Sequence, residues 1–593
     1  MKRFSTMLYQ MLKGLSAAVS RFSFTVASLV ITAGLICYLI SLDGKPPLAL
    51  EKLIFVFGVG AFIGMVAQFS IEHFEKLRNK WLIAYGIALL LTAGYFATVW
   101  PSPVINAEIM TRSFVAVFAM TCAVLWIPAF RQRNDFNLVA LLHFKSFFTA
   151  ALYSAVLSAG FAAIFFAVDT LLFPVNDKSY SYMMTIVWIV FAPLYYLSLL
   201  PRFNNKEEED KADSVYGGYP RFLEILVSYI TIPLFAVFTI VLLAYSVKIL
   251  ATSQWPSGQL GPMVLVYSAV GVVLFVLASL PKNSFARLFR LLFPKIWIPI
   301  IIMQMISVWI RLDAYGITAA RYYVSIFAVF SLVSAIFLSF RPVSRNRYIA
   351  LLAAAFAIVS ILPPLDAFSV SRNSQIDRIE AILQSEGMLS DGILTPKSTA
   401  AEETKKEVTN ILQYLNSNSS TKYISWLPAD FDMYLDMDES FGFEPYYVYN
   451  TDGDRRFFYA SLDTELPLDI SGYDISVVIN SYLETGDKKV FAFEVGGRDY
   501  KLIAERISRS DMEITVEDGA GKPLINANFL TYALPMKDMT AAGKDIMPPD
   551  AMTNVESENG AELKIIFQHV SMENIGKQDF YADYAAYVLF KAP

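Results

Sequence analysis

Charge is scarce in this chain, and cysteine and histidine are almost absent. Charged residues make up 17% of 593, where soluble domains carry roughly a quarter. Hydrophobic residues reach 55%, and mean hydropathy is +0.46. That balance excludes a soluble globular protein, a disordered chain and a fibrous one. Only two cysteines occur, Cys37 and Cys122, both inside apolar runs. No disulfide framework can be built from them, and they read as small packing residues. The three histidines are His73, His143 and His569. In the topology below they fall on two sides of a membrane, so they cannot converge as metal ligands. Walker-type phosphate loops, His-Glu-x-x-His, Gly-x-Ser-x-Gly and Cys-x-x-Cys are all missing. No catalytic residue, metal or cofactor is therefore assigned, and no nucleic-acid partner is expected.

What is present falls into two unlike parts. Residues 1–366 hold 28 Lys+Arg and 16 Asp+Glu, a net of +12, and residues 367–593 hold 20 and 37, a net of −17. The first part is a series of apolar runs. The second has none of the roughly 20 residues that a membrane-spanning helix needs. The expected fold is an α-helical polytopic membrane bundle followed by a soluble α+β domain, mainly antiparallel sheet or sandwich behind a helical neck. Its expected divisions are 1–366, the transmembrane domain; 367–428, the neck; and 429–593, an extracytoplasmic β-rich domain.

Eleven spans are expected, at Phe22–Ile40, Leu53–Ser70, Trp81–Val99, Ser113–Phe130, Phe147–Phe173, Tyr182–Leu200, Phe222–Leu250, Gly261–Leu280, Ile296–Ile310, Tyr322–Phe340 and Tyr348–Leu362. With the N-terminus in the cytoplasm, the inside segments carry 21 basic residues and the outside segments 7. This is a positive-inside bias, and an odd number of spans then puts the C-terminal domain outside.

In the neck, Ile376, Ile379 and Leu383 keep helical spacing up to Gly387. Thr399-Ala-Ala-Glu402 matches a capping box ahead of the stripe Val408, Ile411, Leu412, Leu415. Beyond Trp426 the period becomes two. Strands are expected at 446–449, 456–460, 475–479, 513–517, 563–567 and 584–590. Gly496-Gly497 closes a hairpin between Phe491–Val495 and Tyr500–Ala504. The acidic stretches Asp430–Glu439 and Asn450–Asp454 lack the full calcium-loop pattern and read as solvated turns, as does Glu207–Asp210.

Ionisable residues near the bilayer are the functional candidates. Asp169 and Lys248 lie toward the outer ends of the fifth and seventh spans. Pro233 and Pro299 fit first-turn positions better than kinks. The most informative stretch is Arg311-Leu-Asp313-Ala-Tyr315-Gly316-Ile-Thr318-Ala-Ala-Arg321-Tyr322, a short link between two spans. Gly316 can turn the chain, Thr318 can cap the next helix, and the arginines can hold a phosphate or an acidic face. They can equally snorkel to headgroups and pair with Asp313. Arg311, Asp313, Tyr315, Thr318, Arg321, Asp169 and Lys248 are thus the candidate ligand or docking residues.

Tyr315-Gly316-x-Thr318-x-x-Arg321, Leu200-Pro201-Arg202-Phe203, Ser374-Gln375-x-x-Arg378, Tyr414-Leu415 and Trp426-Leu427-Pro428 together resemble the bacterial domain-of-unknown-function 4153 family over most of the chain. The resemblance implies a multi-pass protein of the bacterial cytoplasmic membrane and transfers no activity. Three functions stay open. One is a non-catalytic envelope protein whose external domain senses or binds a ligand or partner. Another is a transporter or lipid translocator. The third is a membrane transferase for lipid-linked substrates using Asp169, Arg311, Asp313 and Arg321. The partners expected are the lipid bilayer and an envelope protein or lipid ligand.

Overall fold

The computed structural model describes residues 2–42, 46–132, 135–203, 219–253, 255, 260–428, 430–433, 435–446, 457–480, 485–536, 546–573 and 581–593. The chain forms two compact units, Met1–Pro445 and Tyr446–Pro593.

In the first unit, α1 (Lys2–Arg21) precedes α2 (Ser23–Ser41), α3 (Leu48–His73), α4 (Trp81–Val99), α5 (Ala107–Arg131), α6 (Phe136–Leu171) and α7 (Lys178–Ser198). Then come α8 (Arg221–Thr252), α9 (Leu260–Leu277), α10 (Ser284–Tyr315), α11 (Ala319–Phe340) and α12 (Arg347–Val359). Every expected apolar run lies on one of these helices. Among the described residues, however, nine rather than eleven are long and apolar enough to cross a membrane, α2 to α8 with α10 and α11. The run at Gly261–Leu280 gives a shorter apolar helix. The run at Tyr348–Leu362 stops at Val359 after 13 residues, because Pro363-Pro364 follow and cannot continue a helix. Thirteen residues rise only about 20 Å, against a hydrocarbon core of about 30 Å.

The prolines also depart from expectation. Pro299 lies inside α10 with Pro294. Pro233 lies inside α8, just after a π turn at Ile225–Thr231, and Pro193 follows a second π turn at Ile186–Phe191 in α7. A proline cannot donate to the carbonyl four residues back and crowds it. The wider turns, where Ile232 N donates to Val227 O and Ala192 N to Val187 O, make that room.

Small residues set how closely the helices pack. Gly60 and Gly64, four apart on α3, face Thr92 of α4 and Phe24 and Thr25 of α2. Thr25 Oγ1 donates to Ala61 O across that contact at 3.0 Å. Without a hydrophobic drive inside lipid, such close backbone approach and interhelical hydrogen bonding hold helices together.

The neck follows within the first unit. Helix α13 (Ala367–Ser385) ends before Gly387 as expected, and α14 (Glu402–Ser417) buries Val408, Ile411, Leu412 and Leu415. The capping box does not form. The helix begins at Glu402 with Ala401 as N-cap and no side-chain cap bond, so Thr399 lies two residues too early.

The second unit holds two sheets around one core. One sheet runs β4 (Ile475–Asn480), β12 (Tyr581–Lys591), β11 (Ala561–Glu573), β3 (Phe457–Leu462), β9 (Ile546–Met547), with β10 (Thr553–Glu558) also on β11. The other runs β5 (Lys488–Val495), β6 (Arg498–Arg506), β7 (Met512–Asp518), β8 (Pro523–Asn528). Among the described residues every strand pairing is antiparallel except β3 with β9, including that of the short strands β1 (Leu389–Ser390) and β2 (Ile393–Leu394) in the first unit. Val495 pairs Arg498 across Gly496 (φ 60°) and Gly497 (φ 79°), the hairpin read from the sequence. Leu502, Ile514 and Val516 of one sheet share a core with Leu563, Ile565 and Val588 of the other. Residues 447–449 of the expected strand at 446–449, the turn at Asn450–Asp454 and the acidic run Glu207–Asp210 lie outside the described residues.

A Cβ at position 64 would come within 2.6 Å of Phe24 Cδ1 and 3.0 Å of the Thr25 backbone nitrogen. Gly64→Ala should therefore cost about 1–3 kcal/mol, as overpacking does. Thermal unfolding of the protein in detergent checks this, and an unchanged midpoint would show that α2 and α3 separate freely.

Candidate functional site

The link between α10 and α11 is a backbone turn closed by side chains from three places. Helix α10 ends at Tyr315, and Gly316 takes φ +66°, a conformation that suits glycine. Thr318 caps α11, its hydroxyl accepting from Arg321 N at 3.5 Å. Arg321 folds back, and its Nη1 donates to the carbonyls of Tyr315 (3.0 Å) and Gly316 (2.9 Å).

The neck supplies the remaining partners. Ser374 Oγ accepts from Ile317 N at 3.0 Å, and Gln375 Nε2 donates to Tyr315 O (3.2 Å) and Ile317 O (3.0 Å). Tyr414 OH accepts from Ala319 N at 2.9 Å. Arg378 pairs with Glu407 at 2.5 Å, and its Cζ lies 5.8 Å from the Tyr315 ring centroid. Trp426 Nε1 donates to Glu380 at 2.9 Å, closing the neck upon itself. Residues up to about a hundred positions apart thus form one clasp. The bonds to Tyr315, Gly316, Ile317 and Ala319 each satisfy a backbone group at a helix end that has no partner within its own helix.

Of the candidates, Tyr315, Thr318 and Arg321 belong to this clasp. Arg311 is half-buried one helical turn before Tyr315, within coulombic range of Arg321, and Asp313 is exposed. Among the described residues, neither pairs with the other. Asp169 and Lys248 do not join the clasp. The Asp169 carboxylate accepts from Val175 N at 2.7 Å at the end of α6, and Lys248 is exposed on α8.

Two further latches escaped the sequence reading. Asp366 caps α13, accepting from Phe368 N and Ser369 N at 3.1 Å each, and it also pairs with Arg112 of α5 at 2.8 Å. Its carboxylate is fully buried. Burial pushes that carboxyl up, but hydrogen bonds from Ser369 and the Arg112 guanidinium outweigh burial and hold it below the usual aspartate range. The Asp366-Ala-Phe-Ser start is a readable N-cap signal, whereas nothing local announces Arg112, 254 residues away. At the other end of the bundle, Arg21 grips Glu72 in a fork (2.7 and 2.8 Å) and caps the carbonyls of Leu200 (2.6 Å) and Pro201 (3.0 Å). This gives the Leu200-Pro201 motif its structural reason. His143 Nδ1 lies 2.6 Å from Tyr196 OH, and His569 Nε2 lies 3.9 Å from Asp583 on β12.

A bundle of long apolar helices carrying a neck locked to one of its interhelical turns defines a polytopic membrane protein. The chain belongs to the family described as "Domain of unknown function (DUF4153)", which matches residues 30–391. That range takes in the link and all of α13. A similar protein is "Uncharacterized protein PM1469" of Pasteurella multocida (strain Pm70), 21% identical over 334 residues. The match covers 53% of this chain and 56% of that protein, so the chain spans little more than half the relative's length. No solved structure matches this chain.

Two measurements follow from the clasp and the latch. A Cβ on Gly316 would lie 2.9 Å from Gln375 Nε2 at a positive φ. Gly316→Ala should cost about 1–3 kcal/mol and raise hydrogen exchange in Ala367–Ser385. Unchanged exchange there would mean the neck is held elsewhere. Asp366 has a depressed folded pKa, so its stabilisation is present above the ordinary value of about 3.9 and is lost as pH falls through the folded value. Acid proteolysis of the start of α13 should therefore set in only below about pH 4. In Asp366→Asn, which keeps the cap and loses the charge, that onset should vanish.

Proposed function

We propose that this protein is a non-catalytic envelope protein of the bacterial cytoplasmic membrane, with its N-terminus in the cytoplasm. Its second unit, Tyr446–Pro593, works as an extracytoplasmic binding or sensing module. The clasp carries this reading. It fastens the neck to the backbone of the α10–α11 turn, so that neck and bundle move as one body, as transmission of a binding event requires. The bias of 21 basic residues against 7, counted with α9 and α12 crossing as the eighth and eleventh spans, supports the orientation. Nine and eleven are both odd, so neither count moves the C-terminus to the other side. The separate core of the second unit supports its role as a module.

A second reading, a lipid translocator, draws on the two π turns before Pro193 and Pro233, since such turns recur at functional sites in helices. Reconstituted vesicles that flip a fluorescent lipid no faster than empty ones would remove it.

Orientation is tested in a cysteine-free background made by Cys37→Ala and Cys122→Ala. Ser471→Cys, exposed in the second unit, should react with a membrane-impermeant maleimide in intact cells. Arg78→Cys, exposed between α3 and α4, should react only after permeabilisation. The reverse pattern would overturn the proposal.

A further inference from the structure

The guanidiniums around Tyr315 are more numerous than the clasp uses. Arg321 Cζ lies 5.4 Å from the Tyr315 ring centroid, and Arg378 Cζ lies 5.8 Å from the same centroid. Arg311 sits four residues before Tyr315 on α10, hence on the same helical face. Arg311 and Arg378 both act on Arg321 electrostatically. Three positive charges therefore gather at one half-exposed tyrosine.

Their compensation is incomplete. Glu407 neutralises Arg378. Arg321 spends Nη1 on the carbonyls of Tyr315 and Gly316, which leaves its Nε and Nη2 without a protein acceptor among the described residues. Arg311 has no hydrogen bond or ion pair among the described residues, and Asp313 is exposed and unpaired with it. Like charges do not gather at a surface without cost, and the one carboxylate of Glu407 does not balance three guanidiniums. The negative end of the α10 dipole, which would repel one, is already covered by Arg321 and Gln375. The N-terminus of α11, a 22-residue helix, adds its own positive end.

The surroundings set the level at which this happens. Trp309, 71% exposed on α10, lies six residues before Tyr315, itself 47% exposed. Large amphipathic rings at the end of a spanning helix mark the membrane–water interface, where lipid phosphates lie. Guanidinium forks match phosphate oxygens in geometry as well as in charge.

We propose that Arg311, Arg321 and Arg378 form a phosphate seat around Tyr315, and that its occupant is the headgroup phosphate of an anionic lipid. The seat goes beyond the sensing role of the second unit and does not depend on which side of the membrane the link faces.

Native mass spectrometry of the full chain in detergent tests it, with phosphatidylglycerol as the probe and diacylglycerol, which lacks the phosphate, as control. Phosphatidylglycerol should be retained in preference to diacylglycerol. Arg311→Gln, which removes no hydrogen bond or ion pair among the described residues, should lower that retention about fivefold, the effect of one basic residue at an anionic surface. Inorganic phosphate at millimolar concentration distinguishes the sources. Failure to displace the lipid assigns the seat to a headgroup, while displacement that Arg311→Gln abolishes keeps the seat and assigns it to a soluble phosphate. Equal retention of the two lipids, or retention unmoved by Arg311→Gln, would overturn the proposal.

Discussion

Backbone polar groups at a helix end must find partners, and near lipid there is little water to provide them. That constraint shapes the α10–α11 turn and, through it, the neck. The turn leaves the carbonyls of Tyr315, Gly316 and Ile317 and the N–H groups of Ile317 and Ala319 outside any helix ladder. Ser374, Gln375, Tyr414 and Arg321 satisfy all five. Because three of those four side chains come from the neck, the turn cannot be completed without it. The Arg112–Asp366 pair adds a second fixed point where the neck helix begins. A helix held at both its start and its first turns has little freedom to swing.

The same device recurs through the bundle. Arg21 closes the carbonyls of Leu200 and Pro201, and Lys52 those of Trp100 (2.6 Å) and Ser102 (2.5 Å). Arg290 closes those of Ala278 and Pro281. In each case a cation from one helix sits at the C-terminal end of another, where exposed carbonyls and the helix dipole are negative. Residues that a loop-charge count treats as topology markers are therefore also the fastenings between helices.

The legible parts of the fold share one property: their signal is local. An apolar run implies a helix whatever surrounds it, and Gly-Gly between alternating strands implies a tight hairpin. Val408, Ile411, Leu412 and Leu415 fall on one face by spacing alone. Errors arose where a neighbour in space decided. Thr399 and Glu402 carry a capping-box pattern, yet the helix starts at Glu402. Pro233 fits a first turn, yet the helix extends a full π turn before it. The final run fell short of a span because Pro363-Pro364 end its helix. Among the site residues, Thr318 and Gly316 were readable as cap and turn. Arg321 was read as a ligand for phosphate or for an acidic face, whereas most of its bonding goes to the backbone of its own turn.

The sequence by itself determined that this is a membrane bundle with a separate β-rich unit, because hydropathy and period are properties of short windows. It also singled out the Tyr315–Arg321 and Ser374–Arg378 motifs as separate features of interest. Only the tertiary structure decided that they are two halves of one clasp and that Asp366 reaches Arg112. Hydrogen bonds between residues tens or hundreds of positions apart leave no periodic trace in the chain. They exist only once packing has brought the helix ends together, and there the need to satisfy each buried polar group selects the partner.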